Sequence, residues 1–185
     1  MSDISVRVLT ADDWQLYKAR RLAALADSPE AFAAKYDDEV AFDDEVWQDR
    51  MVRAARLLAE RDGEAVGIAS VRPLEERPLD DETYAEFFGM WVDPAHRGGG
   101  VGAALVRAGA DQARHERCTH LAYWVGTDNG PAVAFASAYG FRPTDSRRPM
   151  TVRGVTPSDE SEEETMMVLS LAEDPGVVAT SALLH

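Results

Sequence analysis

Between an apolar, aromatic stretch (Tyr84 to Val92) and an amphipathic pattern that begins near Gly100, the chain places four glycines: Gly98, Gly99, Gly100 and Gly102. Glycines at a strand-to-helix junction let several backbone N–H groups converge on one point with no side chain in the way. The helix starting there adds partial positive charge, so the turn favours a phosphate or pyrophosphate. Arg97 stands at its mouth and can offer a forked donor to the same anion.

The flanking pattern limits what sheet such a junction can belong to. Ile4 to Leu9 alternates apolar and polar, as a half-buried strand does. Thr10 is an expected N-cap, followed by a helix that carries Trp14, Tyr17, Leu22 and Leu25 and ends before Ser28-Pro29. A second helix is expected across Asp43 to Ala55. Arg56 to Glu60 and Ala65 to Val71 form a hairpin around Asp62-Gly63. An acidic, Pro-containing loop from Pro73 to Thr83 precedes the Tyr84 strand. After the glycine turn come a helix to about Arg117, a buried strand from Thr119 to Val125, and a short helix from Pro131 to Tyr139. Phe141 to Thr151 and Thr165 to Leu171 make a closing hairpin. The class is therefore mixed α/β, with antiparallel strands ahead of one strand–helix–strand unit.

That order decides between phosphate ligands. Gly98, Gly100 and Ala103 satisfy a G-x-G-x-x-A dinucleotide fingerprint, but the matching acid must end the next strand, and Glu116 precedes it. Hairpins ahead of the turn also do not belong to a doubly wound parallel sheet. A Walker loop is excluded because Ala103 follows Gly102 where Lys is required.

With 185 residues, 45% of them hydrophobic, the chain has enough apolar material for one full core. No apolar run reaches the roughly 18 residues that a membrane span needs, and Met1 to Ile4 do not open a secretory signal. A lone Cys118 fits a reducing cytoplasm, so a cytoplasmic location is expected. The formal net charge of −14 disfavours nucleic acid and anionic membrane and attracts amine-bearing partners. Acid runs at Asp37 to Glu39, Asp43 to Glu45 and Asp159 to Glu164 are either solvated charge or a negative mouth that steers cationic amines. His115, Cys118 and His120 match no standard zinc spacing, and no metal is expected.

The segment Val92-Asp93-Pro94-Ala95-His96-Arg97-Gly98-Gly99-Gly100-Val101-Gly102 resembles the acetyl-CoA-binding motif [RQ]-x-x-G-x-[GA] of the GNAT superfamily of N-acetyltransferases, met by Arg97, Gly100 and Gly102. Asn129, Ala132, Phe135 and Tyr139-Gly140-Phe141 look like the superfamily's second cofactor-side motif. The likeness covers roughly residues 4 to 171. It implies a mixed, mostly antiparallel sheet of about 6–7 strands with helices on both faces and splayed strands at the cofactor site. The implied organisation is one N-acetyltransferase domain over 1–172 and a flexible tail over 173–185.

The resemblance also implies roles. Acetyl-CoA is the cosubstrate, its pyrophosphate held by Arg97, Gly98, Gly99, Gly100, Val101, Gly102 and Ala103. Its pantetheine arm lies along Met90, Trp91 and Val92, with Asn129 and Phe135 on the neighbouring element. The acceptor is a primary amine of a small molecule or peptide, cationic in one version, attacking directly in a ternary complex; a homodimer is left open. A lysine-like ammonium with pKa near 10.4 is neutral at pH 7 about once in 2,500 molecules, roughly 4.6 kcal/mol uphill, so a base is needed. Glu86, a lone acid in an apolar strand, is the candidate base. Relatives carry a general-acid Tyr four residues before the second motif's glycine, where this chain has Ala136; Tyr139 is the substitute candidate. A silent acetyl-CoA sensor and a dinucleotide module are the alternatives.

Overall fold

The computed structural model describes residues 3–75, 82–150 and 162–172. The expected tail after Glu173, most of the loop between Pro73 and Thr83, and Asp159 to Ser161 of the last acid run lie outside the described residues.

Seven strands form one sheet among the described residues, in the order β1-β2-β3-β4-β5-β7-β6. They are β1 (Ile4–Val8), β2 (Ala55–Arg61), β3 (Glu64–Pro73), β4 (Tyr84–Val92), β5 (His120–Gly126), β6 (Arg142–Pro149) and β7 (Glu163–Ser170). Every neighbouring pair is antiparallel except β4 and β5. That parallel pair needs a crossover, which α4 (Val101–His115) supplies. The β2–β3 hairpin turns at Asp62 and Gly63, both at positive φ (53° and 81°), as a two-residue loop requires.

Helices cover both faces. On one, α4 buries Val101, Leu105, Val106 and Ala110 against Leu57, Val71, Ala85 and Phe87. Contact is close enough that a Cβ on Gly109 would sit 2.7 Å from the Phe87 ring. On the other face, Tyr17 and Ala24 of α1 (Trp14–Asp27) and Trp47 of α3 (Asp44–Arg53) pack on Leu58, Ile68 and Trp91. α5 (Gly130–Ala138) follows β5.

Three local differences from the sequence pattern have physical reasons. Thr10 does not cap α1 directly: a 3-10 turn (Ala11–Asp13) intervenes, and the Thr10 N–H donates to Asp13 Oδ2 at 2.8 Å. A five-residue helix, α2 (Tyr36–Val40), stands where only an acid run was evident. Glu39 within it is not solvated charge: it is 3% exposed and takes paired bonds from Arg21 and Arg50 at 2.9–3.1 Å. Burial pushes its carboxyl up, yet the two guanidiniums outweigh this and hold it below the usual range.

Candidate active site

β4 and β5 pair only from Tyr84/His120 to Phe87/Tyr123, although β4 runs on to Val92 and β5 to Gly126. Past that point a cleft of about 520 Å3 opens between Phe88–Met90 on one side and Trp124–Gly126 on the other. A bulge in β4 marks the divergence. Ile68 pairs with Trp91 and Ser70 with Phe88, so Gly89 and Met90 together oppose Ala69 alone. Gly89 takes φ 61°, a left-handed conformation that glycine adopts without strain.

At the far end of β4 the glycine turn leads into α4. Gly98 and Gly100 have φ of 77° and 88°, and Gly100 is the helix N-cap. The first intrahelical bond runs from the Ala104 N–H to the Gly100 carbonyl, leaving the N–H groups of Val101, Gly102 and Ala103 without helical acceptors. Beneath the turn, Arg61 donates to the Gly99 carbonyl at 2.8 Å. The Arg97 fork is held elsewhere than expected. Its Nε donates to the Val92 carbonyl at 3.0 Å and its Nη2 to Asp27 Oδ2 at 2.7 Å. Asp27, at the end of α1, also accepts from Trp91 Nε1 at 2.9 Å and the Ser28 hydroxyl at 2.7 Å. The Trp91 and Ser28 bonds, then Arg97, hold its carboxyl below the usual range. The N–H groups of Val101, Gly102 and Ala103 thus remain at this turn without a helical partner.

Glu86 lies in the cleft wall and is 2% exposed. Arg72, directly opposite on β3, donates to its Oε2 at 2.9 and 2.6 Å, and Arg148 of β6 donates to Oε1 at 3.2 Å. Oε1, with a single bond, keeps acceptor capacity. Arg148 also donates to Glu164 at 2.9 Å and lies 4.2 Å from the Trp124 ring. Asn129 caps α5, its Oδ1 accepting from the Ala132 N–H at 3.1 Å, and lines the cleft with Met90 and Ala132.

The expected residues divide accordingly. Glu86, Met90 and Asn129 come together in the cleft. Trp91 turns its indole into the α1 core, and Phe135 lies against Gly102. Tyr139 is not among the cleft residues: its ring packs 4.7 Å from Phe135 and is 38% exposed. Ala136 is fully buried in the core and is not among the cleft residues. A phenol that the motifs did not mark, Tyr123, does line it. Burial, with Glu164 adding, pushes Tyr123 up to about 12, so it stays protonated. Alternation along β5 was its only available signal. Arg72 and Arg148 were also missed, because only strand register places them on Glu86.

A second pocket, of about 650 Å3, adjoins the cleft and shares Phe32, Ala33, Phe88 and Gly89 with it. Arg21, Lys35, Arg50, Arg53, Arg56 and Arg72 line it, against the three carboxylates of Asp38, Glu39 and Asp49. Among the described residues, no group of three or more His, Cys, Asp or Glu side chains is placed to hold a metal ion.

Comparisons with known proteins agree with this architecture. The model of the acetyltransferase (GNAT) family matches residues 9–141. The mycothiol acetyltransferase of Sanguibacter keddieii is 32% identical over 146 residues, covering 79% of this chain and 43% of that protein. That of Acidothermus cellulolyticus is 31% identical over 154 residues, covering 76% and 45%. The chain thus spans less than half the length of these curated relatives. Among solved structures, an acetyltransferase from Salmonella typhimurium with its cofactor acetyl-CoA superposes with a TM-score of 0.61 at 21% identity, covering 93% of this chain and 96% of that one. A GNAT-family acetyltransferase from Streptococcus pneumoniae gives 0.67 at 16%, covering 92% and 100%. These two likenesses are of fold.

Proposed function

The chain belongs to the GNAT family of acetyltransferases, and from that membership we propose that it transfers the acetyl group of acetyl-CoA to a primary amine by direct attack. The observation that carries this reading is the divergence of β4 and β5 beyond Phe87 and Tyr123, beside the glycine-lined start of α4. The residues present fit coenzyme A. The amides of Val101, Gly102 and Ala103 are free of helical partners and suit a diphosphate. The bulged part of β4, unpaired with β5 among the described residues, offers backbone groups to an extended amide-bearing arm. Asn129, exposed at the cap of α5, offers its side-chain amide from the other wall. Bound there, acetyl-CoA supplies an acyl carbon open to attack.

Glu86 is the proton acceptor in this proposal. Its Oε1 can take the proton of an attacking amine, directly or through one water, while Arg72 and Arg148 fix the carboxylate's orientation. Tyr139, outside the cleft, takes no part. A thiol of ordinary pKa near 8.5 leaves as thiolate for about 2 kcal/mol at neutral pH, which water can supply. The acceptor is a small molecule, in keeping with the relatives named for mycothiol.

Release of free CoA across an amine panel tests the reading. Amine-dependent release is expected. Acetyl-CoA binding by calorimetry with no turnover on any amine overturns transfer and favours a sensor; no binding at all overturns both.

A further inference from the structure

In a chain of net charge −14, the pocket beside the cleft is lined by twice as many cationic side chains as carboxylates. Most of these cations are matched. Arg21 and Arg50 share Glu39, Arg53 pairs with Asp49 at 2.5 Å, and Arg72 pairs with Glu86. Arg56 is different. It is 6% exposed, and among the described residues it has no carboxylate partner. Nε and Nη2 donate to the Arg50 carbonyl at 3.1 and 2.8 Å, and Nη1 donates to Ser70 Oγ at 2.8 Å. Tyr17 and Phe88 flank the guanidinium at 4.8 and 5.6 Å. Of five N–H donors these bonds use three, which leaves two.

A buried charge without a counterion is costly, and here the neighbours make it worse. Burial pushes the Arg56 guanidinium below its ordinary pKa. Tyr17 opposes this, while the charges of Arg50, Arg21 and Arg72 add to it. An incoming anion offsets that repulsion and supplies the missing counterion. Two spare N–H groups and one unmatched charge correspond to a single carboxylate with its two oxygens.

The pocket's position says whose carboxylate it is. Arg56 pairs with Ser70 across β2 and β3, Ser70 pairs with Phe88, and Glu86 is two residues from Phe88 on the same sheet face. The two sites therefore stand two strands apart, a backbone separation on the order of 10 Å. A ligand reaching both is of amino-acid to dipeptide size. We propose that the acceptor is an amine that also bears a carboxylate, seated on Arg56 with its amino group toward Glu86. This rests on the acetyl-transfer reading and reverses the sign expected from the acid runs.

Matched acceptors test it: phenylalanine, glycylphenylalanine and their carboxamides, with putrescine as the cationic amine. The acids are expected to exceed the amides and putrescine by about tenfold or more in kcat/KM. Arg56→Met should bring acids and amides within about twofold while the KM for acetyl-CoA stays put, and Arg56→Lys should fall between and report on folding. Calorimetry with N-acetylphenylalanine and its amide, CoA present, reads the same preference without turnover. Acid-selective, Arg56-dependent binding with no turnover on any amine sustains the pocket and overturns transfer. Equal use or binding of acid and amide, better use of putrescine, or a preference that survives Arg56→Met overturns the pocket alone.

Discussion

Gly102 in the first turn of α4 lies so close to Phe135 of α5 that an added Cβ would fall 3.0 Å from the ring's Cε2 and 3.1 Å from Cζ. Two effects of Gly102→Ala then oppose each other. Alanine gains up to about 1 kcal/mol of helix propensity, while overpacking costs about 1–3 kcal/mol. Stability is expected to fall by only about 1 kcal/mol, but the displaced helix start should weaken acetyl-CoA binding about tenfold. Calorimetry on Gly102→Ala, and on the same chain with Phe135→Ala, checks this: the second change restores affinity.

Glu86→Gln keeps shape and removes the proton acceptor. A positioned base contributes about 10²–10⁴ in rate, so kcat should drop by about 10²-fold with the acetyl-CoA KM little changed. Steady-state kinetics on both substrates separates this from a folding defect, which would instead lower the active fraction and leave the remaining kcat intact.

Glu39 gives an acid-limb prediction. Its folded carboxyl is held below the ordinary value of 4.5. The stabilisation is therefore complete above about pH 4.5 and is lost as pH falls through the lower native value. Glu39→Gln leaves two guanidiniums unmatched and should cost about 3 kcal/mol at pH 7. Urea titrations at pH 7 and in acid should show the gap between wild type and variant closing as pH drops.

Asp27 and Arg97 give a salt-dependent one. With Asp27→Asn the Arg97 fork loses its charged partner beside the glycine turn. Affinity for acetyl-CoA should rise about threefold at low ionic strength, and the gain should fade in salt. Arg97→Ala added to Asp27→Asn should erase it.

Strand alternation and the glycine junction made the order of elements readable, because each is a local pattern. Glu86 stood out as one acid in an apolar strand. Its partners did not, because Arg72 and Arg148 come from β3 and β6 and meet it only through register. Asp37 to Glu39 was misleading in a different way. Acid runs are usually solvated, and nothing local tells that Arg21 and Arg50 will close on Glu39. Tyr139 stands outside the cleft for a geometric reason. It comes after the last residue of α5, as its C-cap, and its ring is held against Phe135, so nearness in sequence to the marked positions does not carry over to the side chain.

The extra residue in β4 lets Phe88 and Trp91, three positions apart, lie on the same face of the sheet, whereas strict alternation would set them on opposite sides. A chain shortened by one codon at Gly89 would keep Phe87 and Met90 toward α4 and Trp91 toward α1, with an uninterrupted ladder to β3. Interior packing would scarcely register such a deletion. Residue 89 is thus a position where pressure for a sturdier protein and pressure for a working one pull in opposite directions.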